Sequence, residues 1–275
     1  MTIPRLTLHD GVEIPQLGFG VFQVPPEDTQ EVVEQAFDVG YRHIDTAGAY
    51  RNERGVGAAI EASGIAREDL FVTTKLWNAE QGFDSTLAAF EASLGRLGLD
   101  HVDLYLIHWP VPTEDRFVDT WRAFERIHGE GRSRTIGVSN FRVEDLERLE
   151  AETDVRPTVN QIELHPRLQQ AELRAWHADH QIATEAWSPL AQGELLDDQT
   201  IAAIAEKHGK TPAQAILRWH LQLGNVVFPK SATPERIREN IEIFDFELGD
   251  AEMAEFERLD RGERIGPDPG TFGSP

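Results

Sequence analysis

The sequence predicts an α/β fold, an eight-stranded parallel (β/α)8 TIM barrel with an N-terminal β-hairpin and a C-terminal loop over one face. Three observations carry that expectation. Short β-rich apolar runs recur eight times along the 275 residues, amphipathic segments separate them, and no linker or low-complexity stretch interrupts before the tail "GERIGPDPGTFGSP". Regular alternation of strand and helix means a parallel sheet covered on both faces, and eight such units close most naturally into a ring. A single domain over residues 1–275 is expected.

In order, "RLTLHDGVEI" reads as a hairpin turning at Asp10-Gly11. The strand-like runs are 17–22, 41–45, 70–75, 102–108, 134–140, 158–163, 182–188 and 225–230. Between them, Leu87, Phe90, Leu94 and Leu97 fall on one face of a helical stripe with Asp84 as its expected N-cap. Phe117, Trp121, Phe124 and Ile127 repeat that stripe. Further helices fit 27–39, 52–62, 142–150, 170–180, 200–208, 212–222, 234–243 and 250–260, with Thr211-Pro212 and Thr233-Pro234 as N-cap and N1 pairs. The Gly/Pro-rich tail cannot be helical and is expected to lie over one face. An open doubly wound sheet is the rival architecture, and it needs a G-x-G-x-x-G turn. After Gly18-Phe19-Gly20 the third glycine position holds Gln23, and Gly55 and Gly57 fall inside an expected helix, so the barrel is favoured.

Net charge is −22, and of 26 cations only four are lysines, at 75, 207, 210 and 230. So acidic a surface argues against nucleic acid as a partner. It also suits concentrated salt, where screening acts over roughly 3 Å at 1 M. There is no cysteine, which excludes disulfides and thiolate metal sites. No secretory leader pattern and no apolar run near eighteen residues is present, so a cytoplasmic protein without membrane contact is expected. No extended apolar surface element calls for more than a monomer.

In a barrel, chemistry sits where the strands end at their C-terminal side. The polar residues ending the runs are Asp45, Lys75, His108, Ser139 with Asn140, Gln161, Trp187 with Ser188, and Lys230 with Ser231. Asp45 and Lys75 end neighbouring strands, and at about 4 Å and an effective dielectric near 20 they attract by roughly 4 kcal/mol before desolvation. Taken alone, such a pair could simply brace two strands, Tyr50 could be a surface aromatic and His108 a core histidine. Together they describe a general acid. An ammonium beside a phenol favours the phenolate, so Tyr50 backed by Lys75 and Asp45 is a tuned proton donor, and His108 can donate a hydrogen bond to the same point. The simplest use is protonation of a carbonyl oxygen that is becoming an alcohol. Hydride must then arrive from elsewhere. Ser139, Asn140 and Gln161 suit a carboxamide, Trp187 offers a flat face, and Lys230, Ser231, Thr233 and Arg236 surround an expected helix start suited to phosphate.

The runs "GYRHIDTA", "TTKLW", "VDLYLIHWP", "GVSNF", "NQIELHP", "SPLAQG" and "VVFPKS" resemble segments of the aldo-keto reductase superfamily, and with "GVGAAI", "GKTPAQAILRWHLQ" and "FDFELGD" they look most like bacterial 2,5-diketo-D-gluconate reductases. The resemblance implies a catalytic tetrad of Asp45, Tyr50, Lys75 and His108, with Tyr50 as proton donor. It implies NADPH bound in extended form, its nicotinamide on Trp187 and its carboxamide held by Ser139, Asn140 and Gln161. Ser188, Leu190 and Gln192 of "SPLAQG" would also touch the cofactor. Lys230, Ser231 and Arg236 would take the 2′-phosphate, with Glu239 and Asn240 near the adenine. Phe22, Trp77, His108 and Trp109, with Trp187, would wall the substrate pocket. The expected substrate is a small carbonyl compound: an aldehyde, an α-dicarbonyl or a keto sugar acid. Two departures stand out. Ala47-Gly48-Ala49 is smaller than the family's usual segment, and Thr233-Pro234 replaces a second basic residue.

Two other readings follow from the same residues. His43, Asp45, His108 and His165 could form a metal-dependent hydrolase site, although Lys75 would crowd the cation. A non-catalytic NADP(H)-binding regulatory barrel would have no need of a tuned tyrosine. A reductase without a metal is therefore expected.

Overall fold

The computed structural model describes residues 3–273. A short antiparallel hairpin, β1 (Arg5–Thr7) with β2 (Glu13–Pro15), precedes the barrel. Eight parallel strands follow: β3 (Phe19–Gly20), β4 (His43–Asp45), β5 (Phe71–Leu76), β6 (Val102–Ile107), β7 (Ser133–Ser139), β8 (Val159–Glu163), β9 (Ala183–Trp187) and β10 (Val226–Val227). They pair strictly in chain order. Leu17 bridges Val227 in parallel, Gly18 N–H donates to the Val227 carbonyl at 3.0 Å, and Val227 N–H donates to the Gln16 carbonyl at 3.0 Å. These bonds join the last strand to the first and close the ring, which an open doubly wound sheet does not do.

Helices α1 (Thr29–Val39), α2 (Glu53–Ser63), α3 (Phe83–Leu97), α4 (Phe117–Gly129), α5 (Val143–Glu152), α6 (Ala171–Asp179), α7 (Gln199–Lys207), α8 (Pro212–Gln222), α9 (Pro234–Glu239) and α10 (Asp250–Glu257) accompany the strands. Of the predicted stripes, Phe90, Leu94 and Leu97 on α3, and Phe117, Trp121, Phe124 and Ile127 on α4, are buried, while Leu87 is half-buried against the same core. Gly57 on α2 permits a close crossing, since a Cβ there would meet the Leu97 carbonyl oxygen at 2.2 Å. Thr211 caps α8 through a reciprocal bond pair with Gln214, as its Thr-Pro signal predicts.

Three expectations are corrected. α3 begins at Phe83 with Gly82 at its N-cap position, two residues earlier than a helix capped by Asp84, so Asp84 sits in the first turn. α9 ends at Glu239 rather than 243, and Thr233 makes no side-chain cap bond; its N–H donates instead to Ser231 Oγ at 3.0 Å. The last strand is two residues long rather than six, because Phe228 turns into the interior and Pro229 brings no N–H to a ladder.

Side chains alternate along each strand, which sorts them into an inner and an outer set. Phe71, Leu104, Leu106, Val159, Val226 and Phe228 pack inside the ring with Leu8 and Ile14 of the hairpin segment, forming an apolar floor. Continuing up the same inner rows come Asp45, Lys75, Gln161 and Glu185, all buried. The floor thus lifts the polar side chains toward the C-terminal rim. No helix among the described residues is long and apolar enough to cross a membrane.

Candidate active site

Tyr50 lies on the short 3-10 turn Gly48–Tyr50 that leaves β4. Buried Asn52 pins this turn: its carbonyl oxygen accepts from Thr46 Oγ1 at 2.9 Å, and its amide donates to the carbonyl of Val21 at 2.8 Å. The phenol ring therefore overhangs the end of β5. Lys75 Nζ stands 5.1 Å from the Tyr50 ring centroid and donates to Asp45 Oδ1 at 2.6 Å and to the Thr46 carbonyl at 2.9 Å. His108 sets its ring edge-to-face against both Tyr50 and Trp77, with centroids 5.7 and 5.4 Å apart. The four predicted residues meet at one point.

Burial raises the Tyr50 phenol above its ordinary range; Lys75 pulls it down and Asp45 pushes it up. The sequence-derived expectation of a lowered phenol is thus right about the effect of Lys75, but desolvation outweighs it. The phenol is protonated throughout the neutral range, and the adjacent ammonium favours its phenolate form. Burial works against the charge on Lys75, yet its neighbours, Asp45 foremost, more than restore it, so the ammonium persists. Burial, helped by Lys75, holds His108 well below the usual histidine range, so the imidazole is neutral. Its Nδ1 is buried without a partner. The tautomer protonated at Nε2 offers a donor to the cleft.

On the opposite rim, Trp187 Nε1 donates to Asn140 Oδ1 at 2.8 Å. The Asn140 amide donates to the His108 carbonyl and to Ser139 Oγ, each at 3.0 Å, and Ser139 Oγ donates to the Gln161 carbonyl at 2.8 Å. Asn140 therefore braces Trp187 and the ends of two strands, and it lies behind the cleft wall instead of in it. Gln161 Nε2 donates to Asp45 Oδ2 and to Glu185 Oε2, both at 2.9 Å. With both amide hydrogens spent, its oxygen is what remains for a ligand.

These groups open onto a cleft of about 1410 Å³ that runs from Phe22, Trp77 and Trp109 past Trp187, Ser188, Leu190 and Gln192 to Lys230, Ser231, Arg236, Glu239 and Asn240. Lys75, Lys207 and Lys210 each pair with a carboxylate, whereas Lys230 and Arg236 are exposed and have no ion-pair partner among the described residues. These two exposed cations stand at one end of the cleft on a chain with 48 acidic residues. Glu239 accepts from Thr211 Oγ1 at 2.6 Å, which joins this end to α8.

The chain matches the model of the aldo/keto reductase family over residues 16–261. It belongs to that family. It is 54% identical over 263 residues to the glyoxal reductase of Bacillus subtilis, covering 95% of each chain. To the methylglyoxal reductase DkgA of Escherichia coli it is 50% identical over 270 residues, covering 98% of each. The crystal structure of a Gox0644 variant in complex with NADPH superposes with a TM-score of 0.96 at 48% identity, over the full length of both chains.

Among the four candidate metal ligands of the hydrolase reading, two are committed elsewhere in this aldo-keto reductase. His43 bonds the Pro15 carbonyl and Thr73 Oγ1, packed between Phe71 and Phe228, and His165 bonds Glu163. With these residues placed so, the match to the aldo/keto reductase family over residues 16–261 decides against the hydrolase alternative.

Two inward carboxyl groups escaped the sequence reading. Glu185 is described below. Glu163, at the end of β8, accepts from the backbone N–H groups of Ile265 and Gly266 at 2.6 and 3.0 Å and from His165 Nε2 at 3.1 Å. Burial favours its neutral form, but these bonds and Arg264 outweigh it and hold the carboxyl below its ordinary value. This anchor draws the tail across the reductase's cleft, as expected of that segment, and Phe272 packs on Trp109 at 4.6 Å. Gly266 passes so close to the Trp187 ring that a Cβ would lie 2.3 Å from it. Gly266→Ala is expected to lift the tail, read as faster limited proteolysis between 261 and 273 and altered tryptophan emission. Unchanged cleavage would mean that the tail is held independently of this contact.

Proposed function

We propose that this aldo-keto reductase reduces a small α-dicarbonyl or aldehyde to an alcohol with hydride from NADPH, Tyr50 supplying the proton. The observation that carries the reading is the Tyr50–Lys75–Asp45 arrangement at the strand ends, with a phenol protonated at neutral pH whose ring centroid lies 5.1 Å from a paired ammonium. A purely cofactor-binding regulatory barrel has no use for it. The names of the Bacillus and Escherichia relatives support α-dicarbonyls as the first substrates to try. Keto sugar acids remain in the panel because Gly48 and Ala49 leave the wall beside Tyr50 low.

The residues fit the cofactor. Trp187 presents a ring fixed through Asn140, Gln161 keeps an oxygen for an amide, and Lys230, Ser231 and Arg236 form the cationic end, with Glu239 and Asn240 beside it. NADPH bound along these residues would supply the hydride. His108 and Tyr50 then hold the substrate carbonyl oxygen between two donors. As negative charge builds on that oxygen, Tyr50 transfers its proton and Lys75 stabilises the resulting phenolate, while Asp45 keeps Lys75 charged and in place. Phe22, Trp77 and Trp109 exclude water from the path.

The barrel acts as one domain over 1–275 and as a monomer. Its support is the single closed sheet, and Phe22, the one exposed large apolar side chain among the described residues, belongs to the cleft. A panel of glyoxal, methylglyoxal, simple aldehydes and keto sugar acids, followed by NADPH absorbance, tests the reading; no turnover with any of them would refute it. Lys230→Met is expected to weaken NADPH binding at least about tenfold, one ion pair with phosphate, and NADH little. Equal losses would move the 2′-phosphate elsewhere.

A further inference from the structure

We propose that Glu185 is a proton-bearing, neutral carboxyl group beneath the catalytic cluster that sets the upper pH limit of carbonyl reduction. The inference rests on the reductase reading above and adds a residue to it.

Glu185 occupies the middle of β9, points into the barrel and has no exposed surface. Its neighbours are few. Gln161 from β8 gives Oε2 its only hydrogen bond, and Oε1 is buried with no partner. β10 presents apolar Val226 at the same register. The charged groups facing it are Asp45 from β4 and Lys75 from β5, with the phenol of Tyr50 above them. One ammonium thus serves two buried carboxyl groups. Lys75 bonds Asp45 directly, whereas Glu185 reaches the pair only through the Gln161 amide, which touches both acids. A second carboxylate there would be an uncompensated buried charge, so the proton resides on Glu185. Burial, then Asp45, push its carboxyl up to about 8.

The consequence follows from charge. With Glu185 neutral, Lys75 and Asp45 balance, and the phenolate formed on proton donation has the full benefit of the ammonium. Once Glu185 ionises, an extra negative charge opposes that phenolate, and Tyr50 becomes a poorer acid. Glu185 touches no reacting atom; it acts through Gln161, Asp45 and Lys75.

The test is the single-turnover rate of methylglyoxal reduction by the NADPH-loaded protein from pH 6 to 9.5, because product release can mask the chemical step. In the unmodified protein the rate is expected to fall at least about threefold as pH rises through the ionisation, and in Glu185→Gln the limb disappears while the rate at pH 6.5 stays within about twofold. A uniform rate loss with an unshifted limb would indicate a structural role and overturn the proposal, as would superimposable profiles. Infrared difference spectra of the unmodified protein labelled with 13C-glutamate provide a readout that needs no variant. A protonated glutamic acid band at pH 7 that is lost by pH 9.5 supports the proposal, and its absence at pH 7 refutes it. If the unmodified protein oxidises no NADPH with methylglyoxal, the failure belongs to the reductase reading, and the infrared band still decides the state of Glu185.

Discussion

Tyr50→Phe is expected to reduce kcat for carbonyl reduction by roughly 10³-fold, within the range general acids contribute. The substitution removes one oxygen and leaves the ring, which packs on Phe22 at 5.0 Å and His108 at 5.7 Å. Lys75 and Asp45 keep their 2.6 Å bond, so the barrel interior is undisturbed. The cofactor-facing groups, Trp187, Gln161 and Lys230, are on other elements, and NADPH affinity should hold within a few-fold. Steady-state kcat at saturating carbonyl, paired with NADPH titration by tryptophan quenching, separates the two effects. Unaltered turnover removes Tyr50 as the acid.

Lys75→Met should cost both activity and stability. Deleting the ammonium leaves Asp45 buried, its Oδ2 still bonded to Gln161 and its Oδ1 facing apolar thioether. Breaking a buried ion pair on one side typically costs about 3–5 kcal/mol, a large part of the stability of a domain. The pH behaviour follows the raised Lys75 pKa: its contribution is complete below the ordinary value of 10.5 and is lost only as pH climbs through the still higher folded value. The contribution of the intact ion pair should therefore be constant throughout neutral pH. Asp45→Asn combined with Lys75→Met should recover most of the denaturation midpoint but none of the turnover, because the phenolate still lacks its cation. A double variant as unstable as the single one would assign the cost to lost packing of the lysine stem.

Much of this site could be read from the sequence because barrel topology turns linear spacing into convergence. Asp45, Lys75 and His108 each end an apolar run, and sequential pairing of β4, β5 and β6 brings them together. Lysine scarcity made Lys75 and Lys230 conspicuous. What stayed hidden depends on direction and depth. Asn140 sits among strand-end polar residues, but its side chain turns back to brace Trp187 and the His108 carbonyl. Glu185 lies two residues before Trp187 and so on the same inner row, a signal that an acid within "IATEAWS" carries; reading only the last residue of each run passes over it. The balance on Tyr50 also needed coordinates, since the spacing indicates that an ammonium is near and not how dry the phenol is. The helix expected over 234–243 stops at 239, where the chain turns and Ile241 and Ile243 become buried.

The most direct test mixes the protein and one equivalent of NADPH with excess methylglyoxal in a single turnover, quantifying NADPH oxidation and alcohol together. One alcohol per NADPH consumed, with the yield in the same interval collapsing in Tyr50→Phe, is the predicted result. No NADPH oxidation by the unmodified protein, or equal alcohol formation in the variant, would contradict a phenol proton and a nicotinamide hydride meeting at this barrel rim.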